Sequence, residues 1–199
     1  MNIIDAIKNR RSIRKFLKKE IDKETIANIL KAGIDAPSPK NRQPWKFVVV
    51  SGRSKHELIH VMSKGIEKAK ADLELVLDVD QFLSSAKTTL EIMEEAPIII
   101  FVINTDAKAM QRQTPFKRFV EMSNIQSIGA VVENMLLASL EYGIGGLWIS
   151  DIYFTIAEIG EWLNTNKQIV AAAAFGYPAE IPPPKPRKKE DELVEWRIS

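Results

Sequence analysis

The chain has 199 residues, with 28 lysines and arginines against 26 aspartates and glutamates, a formal charge of +2, and no cysteine. Near-neutrality excludes the global field of a nucleic-acid binder, and the missing thiols exclude disulfides, thiolate catalysis, cysteine zinc sites and iron–sulfur clusters. Hydrophobic residues make up 45%, enough for a sizeable core, and no apolar run has the length of a bilayer span.

Residues 3–9 read as a short amphipathic helix with Ile3, Ile4 and Ile7 on one face. A basic turn, Arg10-Arg11-Ser12-Ile13-Arg14, follows. Asp22 is a good N-cap for a second helix, with Glu24 in its first turn and Ile26, Ile29, Leu30 and Ile34 at helical spacing. Pro37 and Pro39 then force an extended loop. Lys46–Ser51 reads as a strand, residues 53–95 as two or more charged helices, and Ile98–Ile103 as an inner strand.

Residues 105–122 are polar and basic around Phe116 and Phe119 and read as a loop or short helices. Residues 124–142 form the clearest helix. Ile125, Ile128, Val132, Met135, Leu136 and Leu140 share a face, and Val131 and Leu137 extend the apolar surface round it. Such a helix must be buried on most sides, within the domain or by a second subunit. Gly143 is a natural C-cap, and Gly146–Ser150 reads as a strand. Thr155-x-x-Glu158 is a capping box opening a helix through Leu163, and Gln168–Phe175 is another strand. The proline-rich stretch 182–189 reads as an extended arm, returning as an edge strand over 192–198. With neither repeat nor linker, the pattern is one α+β domain over 1–199, with helices around four or five strands. The N-terminus has no signal-peptide pattern, so the expected location is cytoplasmic, with no membrane partner.

Several motifs have two readings. Arg10, Arg11, Ser12 and Arg14 form a set that suits phosphate oxygens, although a solvated basic turn is the simpler account of the segment alone. Lys185-Pro186-Arg187 is a second cluster on a proline-stiffened arm, and two clusters in a near-neutral chain suit one shared phosphate. Ala36–Trp45 is dense in hydrogen-bonding side chains and runs into a strand, where ligand loops sit. Gly143-Ile144-Gly145-Gly146 lacks dinucleotide-fingerprint spacing and leads into a strand, so it suits a tight turn and a close backbone approach. His56-Glu57-Leu58-Ile59-His60 matches a zinc-protease pattern, but a third ligand would have to be Glu74, Glu91, Glu94 or Glu95; the preferred reading is a partly exposed helix face. No nucleophilic triad or carboxylate pair stands out, so a cofactor is expected to carry the chemistry, with no catalytic side chain and no metal assigned.

Taken in order, these segments resemble the FMN-dependent nitroreductase family, particularly its compact members. The resemblance rests on Arg10–Arg14, Ala36-Pro37-Ser38 closing on Gln43-Pro44-Trp45, the helix Ile125–Tyr142, Gly143–Trp148, Gly176-Tyr177-Pro178 and Pro184–Arg187. It implies a three-layer fold with a mainly antiparallel central sheet, and an intertwined homodimer with FMN at the interface. Arg10, Arg11 and Ser12 would hold the phosphate and ribityl chain, and Arg14 the N1–C2=O edge of the ring. Pro37, Ser38, Pro39 and Asn41, with Asp35 nearby, would come from the other subunit. Trp148, Ile149 and Ser150 would pass beside the ring, and Lys185 and Arg187 would complete the phosphate site. Ser150-Asp151 stands where many members have glycine.

The implied activity is ping-pong transfer of electrons from NAD(P)H to a small acceptor such as a nitroaromatic or quinone. The alternatives are FMN storage or sensing without redox turnover, a specialised flavin reaction such as reductive dehalogenation, and the zinc hydrolase of residues 56–60. Segment 105–122 reads equally as a substrate lid or as a loop whose phenylalanines pack on the core.

Overall fold

A computed structural model describes residues 2–73, 79–108 and 114–198. In chain order the elements are α1 (Ile3–Asn9), α2 (Lys23–Ile34), β1 (Trp45–Val50), α3 (Gly52–Leu73), α4 (Val79–Glu95), β2 (Ile98–Lys108), α5 (Pro115–Ser139), β3 (Gly145–Ile149), α6 (Ile156–Trp162) and β4 (Lys167–Gly176). The strands pair in the order β1-β2-β4-β3, each pair antiparallel.

Alternation along β2 builds three layers, because successive side chains leave a strand on opposite faces. Ile99, Phe101 and Ile103 join the core under α3, α4 and α6, while Ile98, Ile100 and Val102 join the core under α2 and α5. In β4, Ala171–Ala174 are wholly buried, and their small side chains let both helical layers close on the sheet. A Cβ on Gly33 would lie 2.8 Å from Met135 Cγ, so glycine is what permits α2 to pack this tightly on α5. The α+β three-layer architecture agrees with the sequence reading.

Local signals explain the element starts. Asp22 caps α2, its carboxylate accepting from the Thr25 amide at 2.8 Å and the Thr25 hydroxyl at 2.7 Å. Those bonds, the backbone one first, hold its pKa below the usual value. Lys55 on α3 is buried and donates to the carbonyl oxygens of Glu94 at 2.6 Å and Ala96 at 2.7 Å, clipping the end of α4. Burial pushes its ammonium below the usual lysine value, with Glu94 opposing that shift.

Four readings change. The segment after Arg10 is not a turn. It is extended chain that pairs Ser12 with Gly146 and Phe16 with Pro178, covering the β3 edge. Residues 105–108 continue β2, and 115–122 are the first turns of α5 rather than a loop; the part over 109–113 lies outside the described residues. The signal was Thr114-Pro115, an N-cap whose hydroxyl accepts from the Lys117 amide, followed by proline at the first helical position. Residues 192–198 form no strand; a single turn at Glu190–Glu192 precedes irregular chain. Thr155 does occupy the N-cap of α6, but its hydroxyl bonds back to the Ile152 carbonyl, so no capping box forms. No helix among the described residues is long and apolar enough to cross a membrane.

Candidate functional site

The extended segment 12–17 fixes the first basic cluster. The Ile13 amide donates to the Gly146 carbonyl at 3.1 Å, and the Leu17 amide to that of Tyr177 at 2.8 Å. A Cβ on Gly145 would lie 2.4 Å from Ile13 Cγ1, so the close approach requires glycine there. Arg10 pairs with Glu133 of α5 at 3.3 Å. Arg11 folds back onto the carbonyl oxygens of Lys8 at 2.7 Å and Arg10 at 2.8 Å, closing the end of α1. Arg14 donates to the Ser12 carbonyl at 3.3 Å.

Beside this segment lies a cavity of about 500 Å³. Arg14, Trp148, Ile149 and Ser150 line it together, over apolar walls from Ile92 and Leu147. Four of the expected ring contacts are thus brought to one place, with Ser12 pinned next to it. Residues 35–41 and Lys185 and Arg187 do not line this cavity. A larger recess of about 920 Å³ beside α6, lined by Tyr153 and Gln168 among others, contains none of the expected site residues.

The loop after α2 is held in an uncommon shape. Asp35 caps α2, and Lys40, Asn41 and Gln43 take positive φ angles of 55°, 53° and 49°. Ser38 Oγ accepts from the Gln43 amide at 2.9 Å, and Gln43 Nε2 donates to Asn41 Oδ1 at 3.1 Å. Three non-glycine residues in the left-handed region store strain of the kind found at binding loops. Pro37, Pro39 and Asn41 are exposed, as are Lys185 and Arg187 on the arm.

Sequence reasoning missed the opposite wall of the cavity. Ser84, Ser85, Thr88 and Thr89 of α4 line it with Asp151. The signal was present: hydroxyl pairs four residues apart make a stripe on one helix face. A buried polar network was missed too. Asn124 Nδ2 donates to Asn104 Oδ1 at 3.2 Å and Asp106 Oδ2 at 3.3 Å, and Asn104 Nδ2 donates to Gln168 Oε1 at 3.0 Å, tying α5 to the irregular end of β2. His56 and His60 are exposed on α3, and Glu57 pairs with Arg53 at 3.2 Å. Among the described residues, no group of three or more histidines, aspartates or glutamates is placed to hold a metal ion.

Comparison with known proteins places the sequence and the fold. An NADH dehydrogenase of Thermus thermophilus is 28% identical over 96% of this chain and 94% of its own. An iodotyrosine deiodinase of Thermotoga neapolitana is 25% identical over 96% of this chain and 95% of its own. A Desulfovibrio desulfuricans structure in complex with FMN superposes with a TM-score of 0.72 at 25% identity, covering 100% of this chain and 99% of that one. The Nitroreductase family profile matches residues 7–177, and the chain belongs to that family.

Proposed function

We propose that the chain is an FMN-dependent oxidoreductase passing electrons from NAD(P)H to a small organic acceptor, a nitroaromatic, quinone or similar, by a ping-pong mechanism. The observation that carries this reading is the cavity uniting Arg14 with Trp148, Ile149 and Ser150 beside the pinned Ser12. Its donors and apolar walls suit a flat ring with one polar edge, and the chain's own side chains offer no alternative redox group. The FMN-bound relative and the NADH dehydrogenase support cofactor and donor.

FMN, when bound, supplies the two-electron chemistry. Arg10 and Ser12 reach its phosphate and ribityl chain, Arg11 adds charge from its anchor at the end of α1, and Lys185 and Arg187 close on the phosphate from the arm. Arg14 places a cation at the polar edge of the ring, where it favours the electron-rich form. Trp148, Ile149 and Ser150 set the ring's position. Pro37, Ser38, Pro39, Asn41 and Asp35 act across a homodimer interface, the strained loop being fixed before the partner arrives. Exposed Ile3, Ile4 and Ile7 on α1 support that dimer.

The test is an absorbance spectrum of the purified protein, supplemented with FMN, before and after anaerobic NAD(P)H. A flavin spectrum that bleaches supports the proposal. Failure to take up FMN overturns it, and bound flavin that NAD(P)H leaves oxidised favours storage. The deiodinase relative supports a second reading, a specialised reaction such as reductive dehalogenation at the same site; product analysis with halogenated and nitro acceptors separates the two.

A further inference from the structure

We propose that Asp151 is a counter-charge to Arg14 in the flavin cavity, holding the reduction potential of bound FMN below the value that Arg14 alone would set. The inference rests on the FMN reading above and concerns a residue to which that reading gives no part.

Asp151 begins the single turn that follows β3. Its carboxylate is turned towards α4, where Ser85 Oγ donates to Oδ2 at 2.6 Å and Thr89 Oγ1 donates to the same oxygen at 3.3 Å. Thr89 is itself buried. Two hydroxyl donors on one carboxylate oxygen fix the direction in which the side chain points. Arg14 donates instead to the Ser12 carbonyl, and among the described residues it forms no ion pair with Asp151. The two charges therefore do not neutralise each other by contact. Each borders the same space of about 500 Å³, with Trp148, Ile149 and Ser150 along its wall.

A ring seated against that wall lies within the field of both charges. Gaining electrons makes the ring more negative, which the guanidinium favours and the carboxylate opposes. Each effect is strengthened where the protein excludes water. Ser85 and Thr89 are positioning residues here, keeping the carboxylate at the cavity and away from Arg14.

The experiment compares FMN-loaded wild type, Asp151→Asn and Asp151→Ser by reductive titration against a redox dye, with oxidised FMN affinity measured by fluorescence quenching. Both variants are expected to keep the flavin. Their preference for reduced over oxidised FMN should rise about tenfold, which raises the two-electron midpoint by about 30 mV. Arg14→Gln should move it the opposite way. Asp151→Ser keeps a hydroxyl for Ser85 and Thr89, so the measurement stands if Asp151→Asn does not fold. Both neutral variants binding FMN with an unchanged midpoint would overturn the role of Asp151 alone. A wild type that takes up no FMN overturns the proposed function, and this inference with it.

Discussion

From Asn124 onward, helix α5 buries Ile128, Val131, Val132 and Met135 completely, whereas its first turns leave Phe116 74% exposed, Phe119 68% and Met122 55%. The two halves belong to one continuous helix but answer to different partners. The inner half is finished by α2 and the sheet of its own chain. In the outer half Glu121 accepts from Gln168 Nε2, but Phe116, Phe119 and Met122 stand exposed on the described residues of the protomer. The same holds for the outer face of α1 and for Leu193, Trp196 and Ile198 on the arm. Large apolar side chains exposed on three separate stretches are unusual for a monomer and support the proposed dimer. At these exposures the phenylalanines do not pack on the core formed by the described residues.

The contrast can be broken by substitution. Met135→Ala in the inner half is expected to cost about 2–5 kcal/mol, because it leaves a cavity under α2; urea unfolding measures it. Arg10→Ala, at the salt bridge to Glu133 of the same half, is expected to weaken FMN binding about ten- to a hundredfold, read by titration, with little change in unfolding. Lys55→Ala, far from both halves, strips the Glu94 and Ala96 carbonyls of their donor and is expected to cost about 1–3 kcal/mol.

Lys55 also has a signature in pH. Its native ammonium is more acidic than its unfolded one, so between the two values the unfolded chain binds more protons. Its contribution to stability therefore rises with pH through that alkaline window, and Lys55→Ala should flatten the rise in an unfolding series.

Phe116→Ala and Phe119→Ala in the outer half should leave unfolding nearly untouched in dilute protein. At least one should weaken self-association in sedimentation or alter KM for the acceptor. If either destabilises the protein as much as Met135→Ala at every concentration, the two halves are not different in kind. The smallest effect is expected from His56→Ala with His60→Ala, which should leave flavin content and reductase rate unchanged.

The same contrast explains what the sequence disclosed. Elements finished by the protomer itself were legible: β2 announced its core strand as Ile98–Ile103, and Asp22 announced α2. The first turns of α5 were not, because Lys117, Arg118 and Glu121 interrupt the apolar spacing of Phe116, Phe119 and Met122, which left Thr114-Pro115 as the readable start. Residues 192–198 had the composition of a strand but pair with no strand, and at the β3 edge Gly146 is already bridged by Ser12. Within the site, Arg14, Trp148, Ile149 and Ser150 were named through the resemblance to the family, whose motifs mark their positions along the chain, and the fold brings the four to one cavity. Ser85, Thr89 and Asp151 were not, because they meet only when α4 packs across the end of β3, 62 or more residues away along the chain.

The pairing of residues 12–17 with Gly146 and with Tyr177–Ala179 also orders events in time. A ribosome delivers the arginines of the first cluster near the start of synthesis and their backbone partners near the end. At roughly 5–20 residues per second, that interval is on the order of ten to thirty seconds. Until then, the segment meant for the edge of β3 has nothing to pair with. A nascent chain that stops short of Ala179 therefore lacks the last of the backbone pairings that hold residues 12–17 against the sheet.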